Sequence, residues 1–170
     1  MSEELKPVKK TTKPANITDG VSIKVRSGFY GKLYYTNPRS GESFMWNQVG
    51  DVQFLTVGDL KAMKAQCPGY FKNQWVVILG CANEAECSAT PAEICKHLAI
   101  DHYYKDYIDP VDFAKVCEWT TAEVAERISL LGDGAKQNLI VALKEFIKDG
   151  RLDSIKKIKE FEKALDCVLE

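Results

Sequence analysis

From Val21 the chain alternates apolar and polar: "VSIKV" (21–25) has the period of a half-buried strand. "KLYYT" (32–36) follows corner glycines at Gly28 and Gly31, "NPRSG" (37–41) supplies the Pro and Gly of a hairpin turn, and "ESFMW" (42–46) runs back. "VQFL" (52–55), after Gly50-Asp51, completes a predicted antiparallel meander. Thr56 and Asp59 then fit a capping box, predicting a helix to about Gln66 that Cys67-Pro68-Gly69 stops. "QWVVIL" (74–79) is apolar on both faces and reads as a strand that is central or covered by a helix. Phe29, Tyr35, Phe44, Trp46 and Phe54 recur at strand spacing and are assigned to the core. Tyr30 and Tyr34 fall off that stripe and are the candidate contact residues of this half.

Beyond Gly80 the period becomes helical. Thr90-Pro91-Ala92-Glu93, Asp109-Pro110-Val111-Asp112 and Thr120-Thr121-Ala122-Glu123 each read as a helix start, with a cap, a Pro at the first turn or a carboxylate three positions on. The third helix should end near Leu131 at "GDG" (132–134). "AKQNLIVALKEFIKD" then carries a stripe of Leu139, Ile140, Leu143, Phe146 and Ile147. Asp153 is placed to cap a last helix with Ile155, Ile158, Phe161, Leu165 and Val168 on one side, leaving Lys156, Lys157, Lys159 and Lys163 to water. The expected fold class is α+β: an N-terminal antiparallel β-module with one helix, followed by a C-terminal helical bundle with short connections. The expected divisions are a flexible arm over 1–20, the β-rich module over 21–80, a Cys-containing connection with short helices over 81–119, and the helical bundle over 120–170. The arm carries four Lys, two Pro and few large apolar side chains, too little to offset the entropy of ordering.

Composition changes this picture little. The 170 residues are 45% hydrophobic and 10% aromatic, an ordinary globular balance with a net charge of −1. The longest apolar run, 75–79, is far short of the roughly 20 residues of a bilayer span, and the N-terminus has no apolar h-region, so neither a membrane partner nor secretion is expected. Residues 21–80 carry seven Lys/Arg against three Asp/Glu, and residues 81–120 carry three against eight, an asymmetry that permits contact between copies.

Candidate chemistry is sparse. Cys81, Cys87, Cys95 and His97 are spaced C-x5-C-x7-C-x-H, with His102 following, whereas structural zinc sites use shorter spacers; the six thiols are read as reduced. Two histidines and no glycine-flanked nucleophile give a catalytic triad no local signature. Asp101, Asp106, Asp109 and Asp112 lack the Gly and closing Glu of a calcium loop. No glycine loop of phosphate-binding pattern occurs. The expectation is therefore a non-enzyme with no cofactor and no metal. Helix, "GDG" and helix over 121–149 superficially form a helix-turn-helix, offering Lys136, Gln137, Asn138, Lys144 and Lys148 to a duplex. Residues 121–170 hold nine basic against ten acidic side chains, however, so nucleic acid ranks below protein as a partner.

Two stretches carry a resemblance. Residues 25–64, "VRSGFYGKLYYTNPRSGESFMWNQVGDVQFLTVGDLKAMK", with "FKNQWVVIL" (71–79), resemble the front half of a family of small proteins encoded by tailed bacteriophages and prophages of low-GC bacteria. "GDGAKQNLIVALKEFIKDGRLDSIKKIKEFEKALDCVL" (132–169) resembles their tail, while residues 80–106 look like an insertion. The resemblance implies a virion-associated structural or assembly protein of head, neck or tail, found in the virion and in the host cytoplasm during assembly. Its implied partners are copies of itself and other virion proteins. The alternatives are a DNA-binding or regulatory phage protein using the C-terminal helices, with Lys156, Lys157, Lys159 and Lys163 on the phosphates, and a host-directed inhibitor using the exposed aromatics.

Overall fold

The computed structural model describes residues 16–105 and 110–170. It is an α+β fold with elements in the order β1 (Ser22–Ser27), β2 (Leu33–Thr36), β3 (Ser43–Trp46), β4 (Val52–Thr56), α1 (Val57–Gln66), α2 (Gly69–Lys72), β5 (Val76–Cys81) and α3 (Pro91–His97). Two 3-10 segments, Asp101–Tyr104 and Pro110–Glu118, lead to α4 (Thr121–Ser129), α5 (Asp133–Lys148) and α6 (Ile155–Leu165).

The strands do not form the expected meander. β1 is the middle of a three-stranded antiparallel sheet of order β4-β1-β5, and β2 and β3 pair only with each other. The reason lies in the hairpin's inner side chains. Leu33, Tyr35 and Trp46 are buried, and the Trp46 indole donates to the Val25 carbonyl at 3.0 Å, so the hairpin is anchored to the sheet through its core face. β5 is an edge strand with α3 packed on it, the second of the two expected arrangements. Along β1 the alternation holds: Ile23, Val25 and Ser27 face inward, opposite Leu55, Gln53, Ile78 and Cys81.

The helix starts follow local chemistry. Thr56 with Asp59, Thr90 with Glu93 and Thr120 with Glu123 all form reciprocal capping boxes, each satisfying two backbone donors. Asp59 is buried as well, and accepts from the Asn37 amide at 2.6 Å, which ties the hairpin turn to the first turn of α1. The cap of α6 is Ser154 rather than Asp153: its hydroxyl accepts from the Lys157 amide at 3.5 Å. Asp109 lies outside the described residues, and the segment after it is 3-10 rather than α. At the ends of the α6 stripe, Ile155 and Val168 are exposed, and the stripe closes with Leu169.

Two hydrophobic clusters result. The first runs from Val21 to Ile100 and the second from Phe113 to Leu169, so the expected connection over 81–119 is shared between them. They meet at a polar and aromatic seam. Tyr30 stacks on Phe113 at 5.7 Å, and the buried Asn138 amide of α5 donates to the Gly28 carbonyl at 2.9 Å. α5 begins so close to the end of α2 that a Cβ on Gly134 would lie 2.0 Å from that of Asn73. Of the expected arm, residues 1–15 lie outside the described residues. Residues 16–20 are bound to the first core: Ile17 packs against it, the Asp19 carbonyl accepts from Gly58 at 2.9 Å, and the Asp19 carboxylate pairs with Lys61.

Candidate functional site

The outer face of the β4-β1-β5 sheet comes directly from its register. Phe54, Lys24 and Gly80 share one row across the three strands, and Val52, Arg26 and Val77 share the next. The register shift between Lys24 and Val25 places Leu79 in a bulge, where it lines a cleft of about 360 Å³ with Lys24, Cys81, Glu84, Cys87 and Thr90. Phe54 is 56% exposed, Val52 39% and Leu79 37%, so this face offers apolar side chains to water around the aliphatic stem of Lys24. Phe54 is therefore not a core residue, contrary to the sequence expectation. Its neighbour Leu55 takes the inward position opposite Ile23.

The expected contact tyrosines part company. Tyr34 is 57% exposed on the outer side of the hairpin, opposite Met45, which is 48% exposed. Its hydroxyl donates to Ser43 at 3.0 Å and accepts from Thr36 at 2.9 Å; these bonds, Ser43 first, hold its pKa below the ordinary tyrosine value. Tyr30 is half-buried in the seam, stacked on Phe113, and burial raises its pKa. It joins the two cores, which leaves Tyr34 as the freer of the two.

The remaining aromatics form a chain of rings rather than a stripe. Phe44, Tyr35, Tyr70, Trp75 and Phe29 follow one another at 6.4, 6.3, 5.6 and 5.1 Å, linking the hairpin, α2 and the approach to β5. Tyr70 also donates its hydroxyl to the Tyr34 carbonyl at 2.5 Å, which fixes the hairpin against α2.

Of the four lysines expected to face water, Lys157 does not: its ammonium donates to the Cys117 carbonyl at 2.5 Å. Lys156, Lys159 and Lys163 are exposed and follow i, i+3, i+7 spacing along α6, but Glu160 falls in the same row, with Glu162 and Asp166 beside it. The row is mixed in sign. The helix considered for a DNA groove, α5, has Gly134, Ala135 and Asn138 of its first turns buried in the seam, leaving Gln137 exposed there.

The fold does not gather Cys81, Cys87 and Cys95 into one metal-binding group. Cys81 and Cys87 are buried and interact with each other, and burial, followed by the Cys87 contact, raises the Cys81 pKa. Cys95 lies on α3 beside Val77, Ile78 and Tyr104, and burial, then Asp101, pushes it up to about 11. No group of three or more Cys, His, Asp or Glu that could hold a metal occurs among the described residues. No helix among the described residues is long and apolar enough to cross a membrane.

No protein-family model, no curated protein and no solved structure matches the chain.

Proposed function

We propose that this protein is a non-enzymatic structural or assembly component of a tailed-phage virion, acting through protein–protein contacts with copies of itself and with other virion proteins. The observation that carries the reading is the outer sheet face, where Val52 and Phe54 of β4 stand in register with β1 and Leu79 sits in the bulge of β5, all three exposed to water. Apolar surface of this kind gains about 25 cal/mol per Å² when a partner covers it, and well-packed aromatic anchors dominate such interfaces. The phage resemblance of residues 25–64, 71–79 and 132–169 supplies the kind of assembly.

The test is light scattering of the purified chain over a range of concentrations, with mass spectrometry of purified particles from an infected or induced host. Defined oligomers and peptides of this chain in the particle are the expected outcome. A monomer at every concentration, with no peptide in the particle, would overturn the reading. Any truncation should remove residues 1–15 only, because Asp19 and Ile17 belong to the folded module.

A further inference from the structure

Cys81 ends β5 on the inward side of the sheet, opposite Ile23, and Cys87 follows it in the loop before α3. That loop folds back on the strand. The Asn83 carbonyl accepts from the Glu86 and Cys87 amides at 3.2 and 3.1 Å, and the Ala89 carbonyl returns far enough to accept from the Cys81 thiol at 3.8 Å. Cys81 and Cys87 are thereby hydrogen-bonding neighbours within the first core. Both also line the cleft of about 360 Å³ that opens beside Lys24 and Glu84, so the pair has a path to solvent. Burial first, then Cys87, pushes the Cys81 thiol up to about 11, and it rests protonated at neutral pH.

This pair differs from the other thiols. The charged groups acting on Cys95, Cys117 and Cys167 are Asp, Glu, Lys and Arg side chains, whereas Cys81 has a second cysteine as its nearest titratable neighbour. A disulfide needs its β-carbons roughly 4 Å apart and tolerates little backbone movement, which favours two cysteines already in side-chain contact. The bond also suits an apolar wall, since it has no S–H to satisfy and no proton to lose. We infer that Cys81 and Cys87 form a redox-active dithiol that a low-molecular-weight disulfide converts to an intrachain disulfide, tying the end of β5 to the turn before α3. One thiol of the pair, as thiolate, attacks a sulfur of the small disulfide, whose S–S bond breaks and releases one small thiol. The second thiol attacks the mixed disulfide and releases the other. Both protons of the pair leave on the departing thiols; the pair is oxidised by two electrons and the small disulfide is reduced. The inference stands apart from the assembly reading and survives its failure.

The test equilibrates the full-length protein in glutathione buffers of graded poise, quenches with an alkylating reagent and digests with a protease that cuts after glutamate. Cleavage at Glu84 and Glu86 separates Cys81 from Cys87, and cleavage at Glu93 separates Cys87 from Cys95, so a recovered peptide pair identifies its bond. The expected result is an intact mass lower by two hydrogen atoms and a Cys81–Cys87 linked pair, at a poise where Cys95 and Cys167 are still fully alkylated. The linked protein should have a higher urea midpoint than the reduced one, because the bond restricts the unfolded chain. Cys81→Ser and Cys87→Ser should each abolish the mass change, and Cys95→Ser should leave it. The peptide map identifies the pair in the wild-type chain even where a serine variant folds poorly. Cys81 and Cys87 that stay separately alkylated or glutathionylated at every poise, up to oxidised glutathione alone, would overturn the inference. So would a bond from either to another cysteine, or a linked protein with a lower urea midpoint.

Discussion

At the scale of single residues, several side chains and one missing side chain hold the molecule together. Gly134→Ala puts a methyl group 2.0 Å from the Asn73 Cβ, closer than any real contact. The expected loss is about 2 to 3 kcal/mol, read as a lower urea midpoint with an unchanged m-value. Asn138→Ala leaves the Gly28 carbonyl buried without its donor and should cost about 1 to 3 kcal/mol by the same measurement. Thiol titration has a definite sign. Cys95 is raised to about 11 from the ordinary 9.0, so the folded state keeps its proton longer than the unfolded chain does. Its stabilising contribution is complete below pH 9.0 and is lost as pH climbs toward about 11. Denaturation midpoints should therefore fall across that window, and Cys95→Ser should flatten the fall.

At the scale of elements, the helix starts were the most legible part of the sequence because a capping box is a purely local device: Thr56, Thr90 and Thr120 each need only a carboxylate three positions away. Thr120→Ala should cost about 1 kcal/mol, whereas replacing the exposed Lys159 or Lys163 with Ala should change stability by less than about 0.5 kcal/mol. Strand pairing was less legible. In β4 the run Val52-Gln53-Phe54-Leu55 offers an apolar side chain to both faces, so its own alternation does not say which of Phe54 and Leu55 is inside. The answer comes from β1, where Ile23 pairs with Leu55, and that pairing is a non-local fact. The place of Tyr30 in the seam was hidden for a related reason: only the fold brings Phe113 within stacking distance of it. The outer sheet face, which rests on both the pairing and the bulge at Leu79, could not be seen from composition or spacing. The α+β class itself could, because the change from period two to helical period falls near Gly80.

At the scale of the whole molecule, two cores share one seam, and the residues that cross it decide whether they behave as one cooperative unit. The Tyr30 ring, the Asn138 amide and the close fit at Gly134 all cross it. Wild-type protein should unfold in a single transition, with tryptophan fluorescence and far-UV ellipticity coinciding. Trp46 and Trp75 belong to the first core and Trp119 to the second, so the fluorescence samples both cores, while the ellipticity is weighted toward the helices. Tyr30→Ala should lower stability by about 2 kcal/mol and pull the two signals apart.

The bond from Asn138 to the Gly28 carbonyl joins positions 110 apart in the chain. During synthesis, the amino-terminal core has all its partners once about the first hundred residues are free, since its members end at Ile100. The Gly28 carbonyl must wait for nearly forty residues more. A ribosome-bound intermediate with a folded front half and a hydrated Gly28 is the natural consequence, and closure of the seam is then the late, slow step that commits the nascent chain to its native state.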